Sequence, residues 1–356
     1  MSDINRQKIM IYYGGFRDIL GGVNSHISNL EKEYKNQGYQ VETISLDRLP
    51  ILLRYIPHLV ERLSNVFYFP LGFVYKGLVA KFFYKTFFKN NSDINIFEDI
   101  YLAWNSSTPS VCILHAAWSD NLQAFKVSKE QMERLKNKEV NLINAIKHPV
   151  ATVSFEYKDY LEKEHFGSKL KKDLGVVLLG IDNKLFNINH RSEISNSKSI
   201  ITTSHLEARK NIFFLLKLFK KIYEADNAYS LSIIGDGPER KAVEDYIKQN
   251  NLPVTLHGRL NHDDVVKMLH EHDLFIHTSV KESFSYALLE AKLAGLITVA
   301  YSGLQVPSEF IDIKQEDFEL NNWLDSILNK EQNYPMFDVN KYTVKIMADK
   351  TLESIK

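Results

Sequence analysis

Apolar positions along the chain follow two alternating rhythms. Short runs rich in Ile and Val stand at 8–13, 41–46, 94–97, 111–114, 150–153 and 176–179. Uninterrupted apolar runs of this length, bounded by turn residues, predict buried strands. Between the first two, Val23, Ile27, Leu30 and Tyr34 recur at helical spacing, and Gly38 stands just past the end, where a helix closes. Residues 128–147 read as a charged amphipathic helix and 157–165 as a shorter one. The second half repeats the pattern more regularly. Strands are predicted at 200–203, 231–234, 254–256, 274–277 and 297–300, with helices at 212–225, 238–249, 262–269 and 286–294. Pro238, after Gly237, suits a first helical position. Repeated strand–helix–strand units predict an α/β fold: parallel sheets with helices on both faces, doubly wound. The Asn-, Ser- and charge-rich stretch 180–199 reads as a linker between two Rossmann-like halves facing a cleft.

Composition narrows the function classes. The chain has 356 residues, 44% hydrophobic and 25% charged. That suits a soluble globular protein of two domains. Lys plus Arg and Asp plus Glu are 44 each, for zero formal charge, which argues against disorder and against a globally basic nucleic-acid binder. Cys112 is the only cysteine, so an internal disulfide and a thiolate zinc site are excluded, and a reducing compartment fits. Residues 2–8 are polar and the apolar run after them is too short for a secretory signal core. The nearest approach to a membrane span, 66–88, is broken by Pro70, Lys76, Lys81 and Lys85.

Neutrality is not uniform. Residues 48–90 hold seven bases (Arg48, Arg54, Arg62, Lys76, Lys81, Lys85, Lys89) against one acid, Glu61, for a net +6. The same stretch carries Phe67, Tyr68, Phe69, Phe73, Tyr75, Phe82, Phe83, Tyr84, Phe87 and Phe88. Bases interleaved with aromatics predict an element lying on an anionic membrane surface. A helix pair that packs its aromatics inward with lysines snorkelling outward is the competing reading, and single-stranded nucleic acid a weaker one. Residues 281–328 lean the other way, with eight acids against three bases, for a net −5.

The chemistry concentrates at 281–290. A strand ends near Thr278 and a helix begins near Ser285, so the amides of Ser283, Phe284 and Ser285 stand at a helix start, where free N–H groups and the dipole hold an anion. Glu282 in the preceding loop and Glu290 within the helix are placed to accept hydrogen bonds from hydroxyls. Phosphate between two carboxylate–hydroxyl contacts describes a nucleotide-sugar site. On their own two glutamates eight apart are weak evidence, since most such pairs are solvated surface.

Taken in order, the motifs identify a family. Gly21-Gly22-Val23 opens the first helix. His115 follows a strand, Gly180-Ile181-Asp182 precedes Phe186, and Lys210-Asn211 opens a helix. Gly235-Asp236-Gly237-Pro238, Gly258, the Glu282-to-Glu290 element and 300–309 complete the set. With these marks the chain resembles the retaining glycosyltransferases of family 4, which have the GT-B fold. The resemblance implies an acceptor-binding domain over 1–185, a donor-binding domain over 186–339, and a last helix, 340–356, that packs back onto the first.

It also implies roles. Glu290 would bind the donor ribose, and Glu282 with the Ser283, Phe284 and Ser285 amides the sugar hydroxyls and diphosphate. Lys210 would neutralise the leaving group, Gly22 would admit the phosphates, and His115 would touch the transferred sugar. Gly235, Gly237 and Gly258 fit close approach around the base, and turn formation explains them equally well. The family carries an Arg about five residues before the Lys. Here His205 fills that slot; either the neighbouring Arg209 supplies the second cation, the reading favoured, or His205 serves with weaker and more pH-sensitive phosphate binding. No carboxylate is placed as a double-displacement nucleophile, and Asp263-Asp264 at a helix start reads as capping.

The expectation is therefore a retaining hexosyltransferase with no cofactor and no metal. It would use a UDP- or GDP-linked sugar and a glycan or lipid-linked acceptor. Its place would be bacterial polysaccharide synthesis (O-antigen, capsule or lipopolysaccharide), peripherally on the inner face of the cytoplasmic membrane through 48–90. The alternatives are a nucleotide-sugar epimerase of the same fold and a non-catalytic glycan-binding or scaffold subunit.

Overall fold

The computed structural model describes residues 7–17, 21–88, 92–121, 127–183, 186, 198–330 and 337–355. They divide into two compact units, Met1–Asp182 with Asn340–Lys356, and Asn183–Val339. Most of the expected linker over 180–199 lies outside the described residues, as do 1–6, 18–20 of the first loop and 89–91 at the end of the basic segment.

The first unit runs β1 (Lys8–Tyr12), α1 (Gly22–Asn36), β2 (Gln40–Ile44), α2 (Ile56–Tyr68), α3 (Gly72–Phe87), β3 (Ile94–Phe97), β4 (Ser110–Leu114), α4 (Trp118–Asn121), α5 (Lys129–Ala145), β5 (Val150–Thr152), α6 (Phe155–Tyr160) and β6 (Gly175–Val176). The second runs β7 (Ser199–Thr203), α7 (Ile212–Ala225), β8 (Ser230–Ile234), α8 (Arg240–Gln249), β9 (Val254–Gly258), α9 (His262–His270), β10 (Leu274–His277), α10 (Tyr286–Leu293), β11 (Ile297–Tyr301), β12 (Ile313–Gln315) and α11 (Leu320–Leu328). Then α12 (Val344–Glu353) returns to the first unit. Each unit holds a parallel six-stranded sheet, in the orders β2-β1-β3-β4-β5-β6 and β12-β11-β10-β7-β8-β9. Both are the doubly wound α/β sheets that the strand–helix rhythm predicts.

Local sequence explains the element limits. Ser128 Oγ accepts from Gln131 N (3.2 Å) while Gln131 Oε1 accepts from Ser128 N (3.0 Å), a reciprocal box that starts α5. In α7, Ile212, Leu215, Leu216, Phe219 and Ile222 form one buried face against the second sheet. Several limits differ from expectation. Strand β6 stops at Val176 instead of 179, because the chain leaves the sheet to lie on α12: Ile181 N donates to Tyr342 O (2.9 Å). Gly180 packs so closely there that a Cβ would stand 2.3 Å from Thr343 O. Pro238 sits in a turn before α8, not at its first position, since Glu239 N and Leu206 N donate to Leu206 O and Asp236 O (both 3.0 Å) and hold 236–239 on the neighbouring loop. Finally, β12 and α11 extend the second unit where no element was predicted.

The basic aromatic stretch is a helix pair whose members behave differently. Helix α3 buries Val74, Gly77, Ala80 and Tyr84. The Tyr84 hydroxyl donates to Tyr13 O (2.7 Å), and its ring joins a core cluster in which Tyr12 stacks on Phe97 (5.1 Å) and meets Trp104 edge-on (4.8 Å). Helix α2 instead leaves Leu59, Leu63, Val66 and Phe67 between 54% and 76% exposed, on one helical face. Glu61, the sole acid, is engaged by Lys76 (3.2 Å) on α3. Among the described residues no helix is long and apolar enough to cross a membrane.

Strand order also creates the sites. In a doubly wound sheet, ligands bind outside the carboxyl ends of the strands where the winding reverses. That reversal falls between β1 and β3 in the first sheet and between β7 and β10 in the second.

Candidate active site

In the second unit, the loops leaving β7 and β10 are bonded to each other. Val280 N donates to Arg209 O (3.1 Å), Thr278 Oγ1 to Lys210 O (2.9 Å), and the Arg209 guanidinium to Lys281 O (3.3 Å). This brings Lys210 and Glu282 together as a direct ion pair, with Arg209 Nη1 3.7 Å and His277 Nε2 3.4 Å from the same carboxylate. Asn211 takes the left-handed conformation (φ 53°) that Asn tolerates, turning the Ala208–Lys210 turn into α7. Burial pushes the Glu282 carboxyl up, but the Lys210 charge, the His277 bond and the Arg209 charge outweigh it and hold the group well below the usual range. Burial pushes His277 down. The cluster is thus an ionised carboxylate under two cations. His205, in the expected Arg slot, is exposed, whereas Arg209 is half-buried and also pairs with Glu207 (3.0 Å).

Ser285 is the N-cap of α10, and its hydroxyl accepts from Leu288 N (3.3 Å). Its φ of 72° is unusual for a non-glycine residue and tightens the turn between Glu282 and the helix. Ser283 precedes it half-buried, and the Phe284 side chain is a core group against Phe310 (5.2 Å) and Tyr286 (5.6 Å). Glu290, further along α10, lies 3.1 Å from His262 Nε2 at the start of α9, beside the Phe186 ring. The glycines answer to close backbone packing. A Cβ on Gly235 (φ 136°) would stand 1.8 Å from Ser204 O and one on Gly237 2.4 Å from Leu206 O, while Gly258 has φ 69° and adjoins Arg240.

The first unit holds its own cluster at its reversal point. Glu98 follows β3, His115 follows β4, and His26 lies in the first turns of α1. Glu98 Oε2 is 2.7 Å from His115 Nε2 and 3.3 Å from His26 Nε2. One ligand atom from each of the three lies within 4.8 Å of the others, the kind of group that could hold a metal ion. Gly22 is exposed at the first position of α1, which has no acidic residue in its first turn. The structure therefore groups Lys210, Arg209 and Glu282, sets Glu290 in a second contact on α10, and places His115 and Gly22 in the first unit.

Sequence reasoning missed His277, His262, Glu98 and His26. A histidine closing the apolar strand Leu274–His277, and Glu98-Asp99 directly after the apolar run at β3, were the available signals: polar groups at strand ends that burial must then pair.

Residues 186–318 match the family of glycosyl transferases group 1. The match spans both Lys210 and the Glu282-to-Glu290 element. Among curated relatives, the chain is 28% identical over 108 residues to 2-deoxystreptamine N-acetyl-D-glucosaminyltransferase of Niallia circulans, covering 30% of this chain and 28% of that protein. It is 32% identical over 107 residues to one subunit of phosphatidylinositol N-acetylglucosaminyltransferase from Homo sapiens, covering 30% and 22%. The chain thus matches under a third of the length of either relative. Among solved structures, a TarM mutant from S. aureus, crystallised with fondaparinux, alpha-GlcNAc-glycerol and UDP, superposes with a TM-score of 0.69 at 15% identity, covering 98% and 100% of the two chains. With these neighbours the two parallel-sheet units are of the GT-B class.

Proposed function

We propose that the protein is a glycosyltransferase that moves a hexosyl group from a nucleotide diphosphate sugar, UDP- or GDP-linked, to a glycan or lipid-linked acceptor. The observation that carries this reading is the Lys210–Glu282–Arg209 cluster at the winding reversal of the family-matched unit, eight residues before Glu290. Without ligand, Lys210 is paired with Glu282. A diphosphate arriving beside Lys210 and Arg209 would meet two cations, and one carboxylate would be released toward sugar hydroxyls. A cation on the leaving phosphate stabilises the charge that develops as the glycosidic bond breaks. The position of Arg209 against Glu282 supports its substitution for the family's Arg, with His205 outside the cluster. Reaction would proceed on one face of the sugar with retention, and the scheme needs neither metal nor cofactor.

Two observations support a membrane-borne acceptor. The α2 face is apolar and exposed in a segment of net +6, which suits docking on an anionic surface. One relative belongs, by name, to a transferase that acts on phosphatidylinositol. The reading extends to lipid-linked precursors of a bacterial surface polysaccharide, made at the inner face of the cytoplasmic membrane. A thermal-shift series with UDP-, GDP-, ADP- and CMP-sugars, followed by donor turnover, tests the function. Donor hydrolysis that is lost in Glu282→Ala is expected; binding without turnover with any acceptor would mean a non-catalytic glycan-binding protein, and an isomerised donor an epimerase. Flotation with anionic vesicles tests the surface. Protein that stays in solution at low salt would remove the membrane from the proposal.

A further inference from the structure

Two groups compete for one oxygen of Glu282. Lys210 Nζ pairs with Oε1, and His277 Nε2 stands 3.4 Å from that same atom. Arg209 Nη1 approaches the other oxygen, Oε2, at 3.7 Å. The side chains of His277 and Glu282 are 3% and 12% exposed, so water does little for either. At 3.4 Å the His277 contact is longer than an ordinary N–H···O bond, and Nε2 has no other partner among the described residues. A buried nitrogen left without a full bond calls for an explanation. Its position offers one: it faces an oxygen that Lys210 already holds.

The backbone permits an exchange. Thr278 Oγ1 donates to Lys210 O (2.9 Å) and Val280 N to Arg209 O (3.1 Å), so the two loops stay joined while the Lys210 side chain turns. The charged groups acting on His277 are Glu282, in the loop after its own strand, and Lys210 and Arg209, in the loop after β7; Glu207 shares Arg209 at 3.0 Å. On the other side of β10, β11 sets the uncharged Ala300 opposite His277. Burial first, and then the charges of Lys210 and Arg209, hold His277 down against the pull of Glu282, which favours a neutral ring near neutrality. When Lys210 turns away, its charge no longer opposes a proton on His277, and the Glu282 carboxylate loses its direct partner while still buried. Such a group needs a new cation or a proton. The imidazole, with an ordinary pKa of 6.5 against 4.5 for the carboxyl, is the stronger base of the two.

We propose that His277 is a positioning residue for Glu282: when the donor diphosphate draws Lys210 off Oε1, His277 takes a proton from solvent and replaces it there, so that donor binding is coupled to proton uptake. Glu282 then stays ionised, with Oε1 on the imidazolium and Oε2 left to accept from a sugar hydroxyl. The state holding more protons is favoured at lower pH. Donor affinity should therefore fall as pH rises through the range in which the bound imidazolium titrates, by up to about 10-fold per pH unit. The donor as trigger rests on the transferase reading above. The exchange of partners at Oε1 does not.

Two measurements on the full chain test this. The first is calorimetric titration with UDP-glucose and GDP-mannose at about pH 7, in two buffers of different ionisation enthalpy. Both probes carry a diphosphate diester and lack the monoester group that titrates near about 6, so any proton taken up belongs to the protein. Wild type should take up as much as about one proton per donor bound, and His277→Gln should bind with no uptake and a flat pH profile. Binding without uptake in wild type, or uptake unchanged in His277→Gln, would overturn the coupling. The second measurement needs no donor. Lys210→Met removes the competitor, and proton–carbon NMR of the histidine rings follows the response, with His277→Gln assigning the signal. His277 should be neutral in wild type at about pH 7 and should titrate at higher pH in Lys210→Met. A His277 already cationic in wild type, or titrating alike in both proteins, would overturn the exchange. Should His277→Gln fail to fold, wild-type calorimetry and the response of a single histidine to Lys210→Met decide. If neither nucleotide sugar binds while His277 responds to Lys210→Met, the UDP- or GDP-sugar reading falls and the exchange stands.

Discussion

Lys292 gives the sharpest test of what holds the α10 helix in place. Its Nζ lies 2.6 Å from Asp312 Oδ1, and the two side chains are 2% and 4% exposed. Asp312 Oδ2 accepts from the amide of Thr298 (3.0 Å), while the Thr298 hydroxyl, 3.1 Å from it, donates to Phe310 O (2.7 Å). Lys292→Met keeps much of the aliphatic volume but leaves the carboxylate buried without its cation. Removing one partner of a buried ion pair costs about 3–5 kcal/mol. Retained packing places this variant near the lower end, about 3 kcal/mol. For a unit of this size that corresponds to a Tm drop of about 6–12 °C. Adding Asp312→Asn removes the orphaned charge while its carbonyl still accepts from Thr298, so the double variant should recover about 2 kcal/mol. With two units in the chain, thermal unfolding is best read beside peptide-resolved hydrogen exchange over β10, α10 and β11, where the loss should concentrate. A single variant costing under about 1 kcal/mol, or a double variant no more stable than the single, would refute the reasoning. The pair matters for function because Lys292 shares α10 with Glu290.

Other outcomes follow from the same geometry. Gly235→Ala should destabilise the second unit by about 3 kcal/mol or more in urea unfolding, because φ is 136° and the new Cβ would stand 1.8 Å from Ser204 O; Gly21→Ala, with nothing within 4 Å, should stay within about 0.5 kcal/mol. Glu139 accepts from Tyr101 OH and Trp118 N (both 2.6 Å) and from Ser119 N (3.2 Å), yet burial outweighs these bonds and raises its carboxyl to about 7. A raised carboxyl gives stability that is complete below its unfolded value of 4.5 and is lost as pH climbs through about 7, by up to about 3 kcal/mol. Glu139→Gln should flatten that part of the pH–stability curve, while Asp99, raised by burial to about 6, retains its share. Arg209→Ala should weaken donor affinity and turnover by roughly 10-fold or more and His205→Ala by under about 3-fold, read as kcat/KM; the reverse order would return the phosphate to His205.

Local pattern made the sheets legible. The run at Ile94–Phe97 and the face of Ile212–Ala225 were readable to the residue, because strand and helix periodicity are properties of neighbouring positions. Elements ended by long-range bonds were not. Val177 to Leu179 looks like strand, but the chain turns to meet Tyr342 and Thr343, more than 160 residues away in sequence. The basic aromatic stretch shows the same limit. Composition alone could not separate α3, whose Tyr84 is core, from α2, whose Phe67 is exposed, since both are apolar and rich in aromatics.

For the site, the Glu282-to-Glu290 spacing, Lys210 and the glycines stood in the sequence by themselves, because each belongs to one loop or helix. That Lys210 and Arg209 share the Glu282 carboxylate with His277, and that Glu98 lies between His26 and His115, was decided only by the tertiary structure. The physical reason is strand order. Parallel strands joined by crossovers need not be neighbours in sequence, and the loops after β7 and β10, over 70 residues apart, meet because those two strands are adjacent where the winding reverses. Burial then forces the meeting groups to share charge and protons, which no single segment specifies.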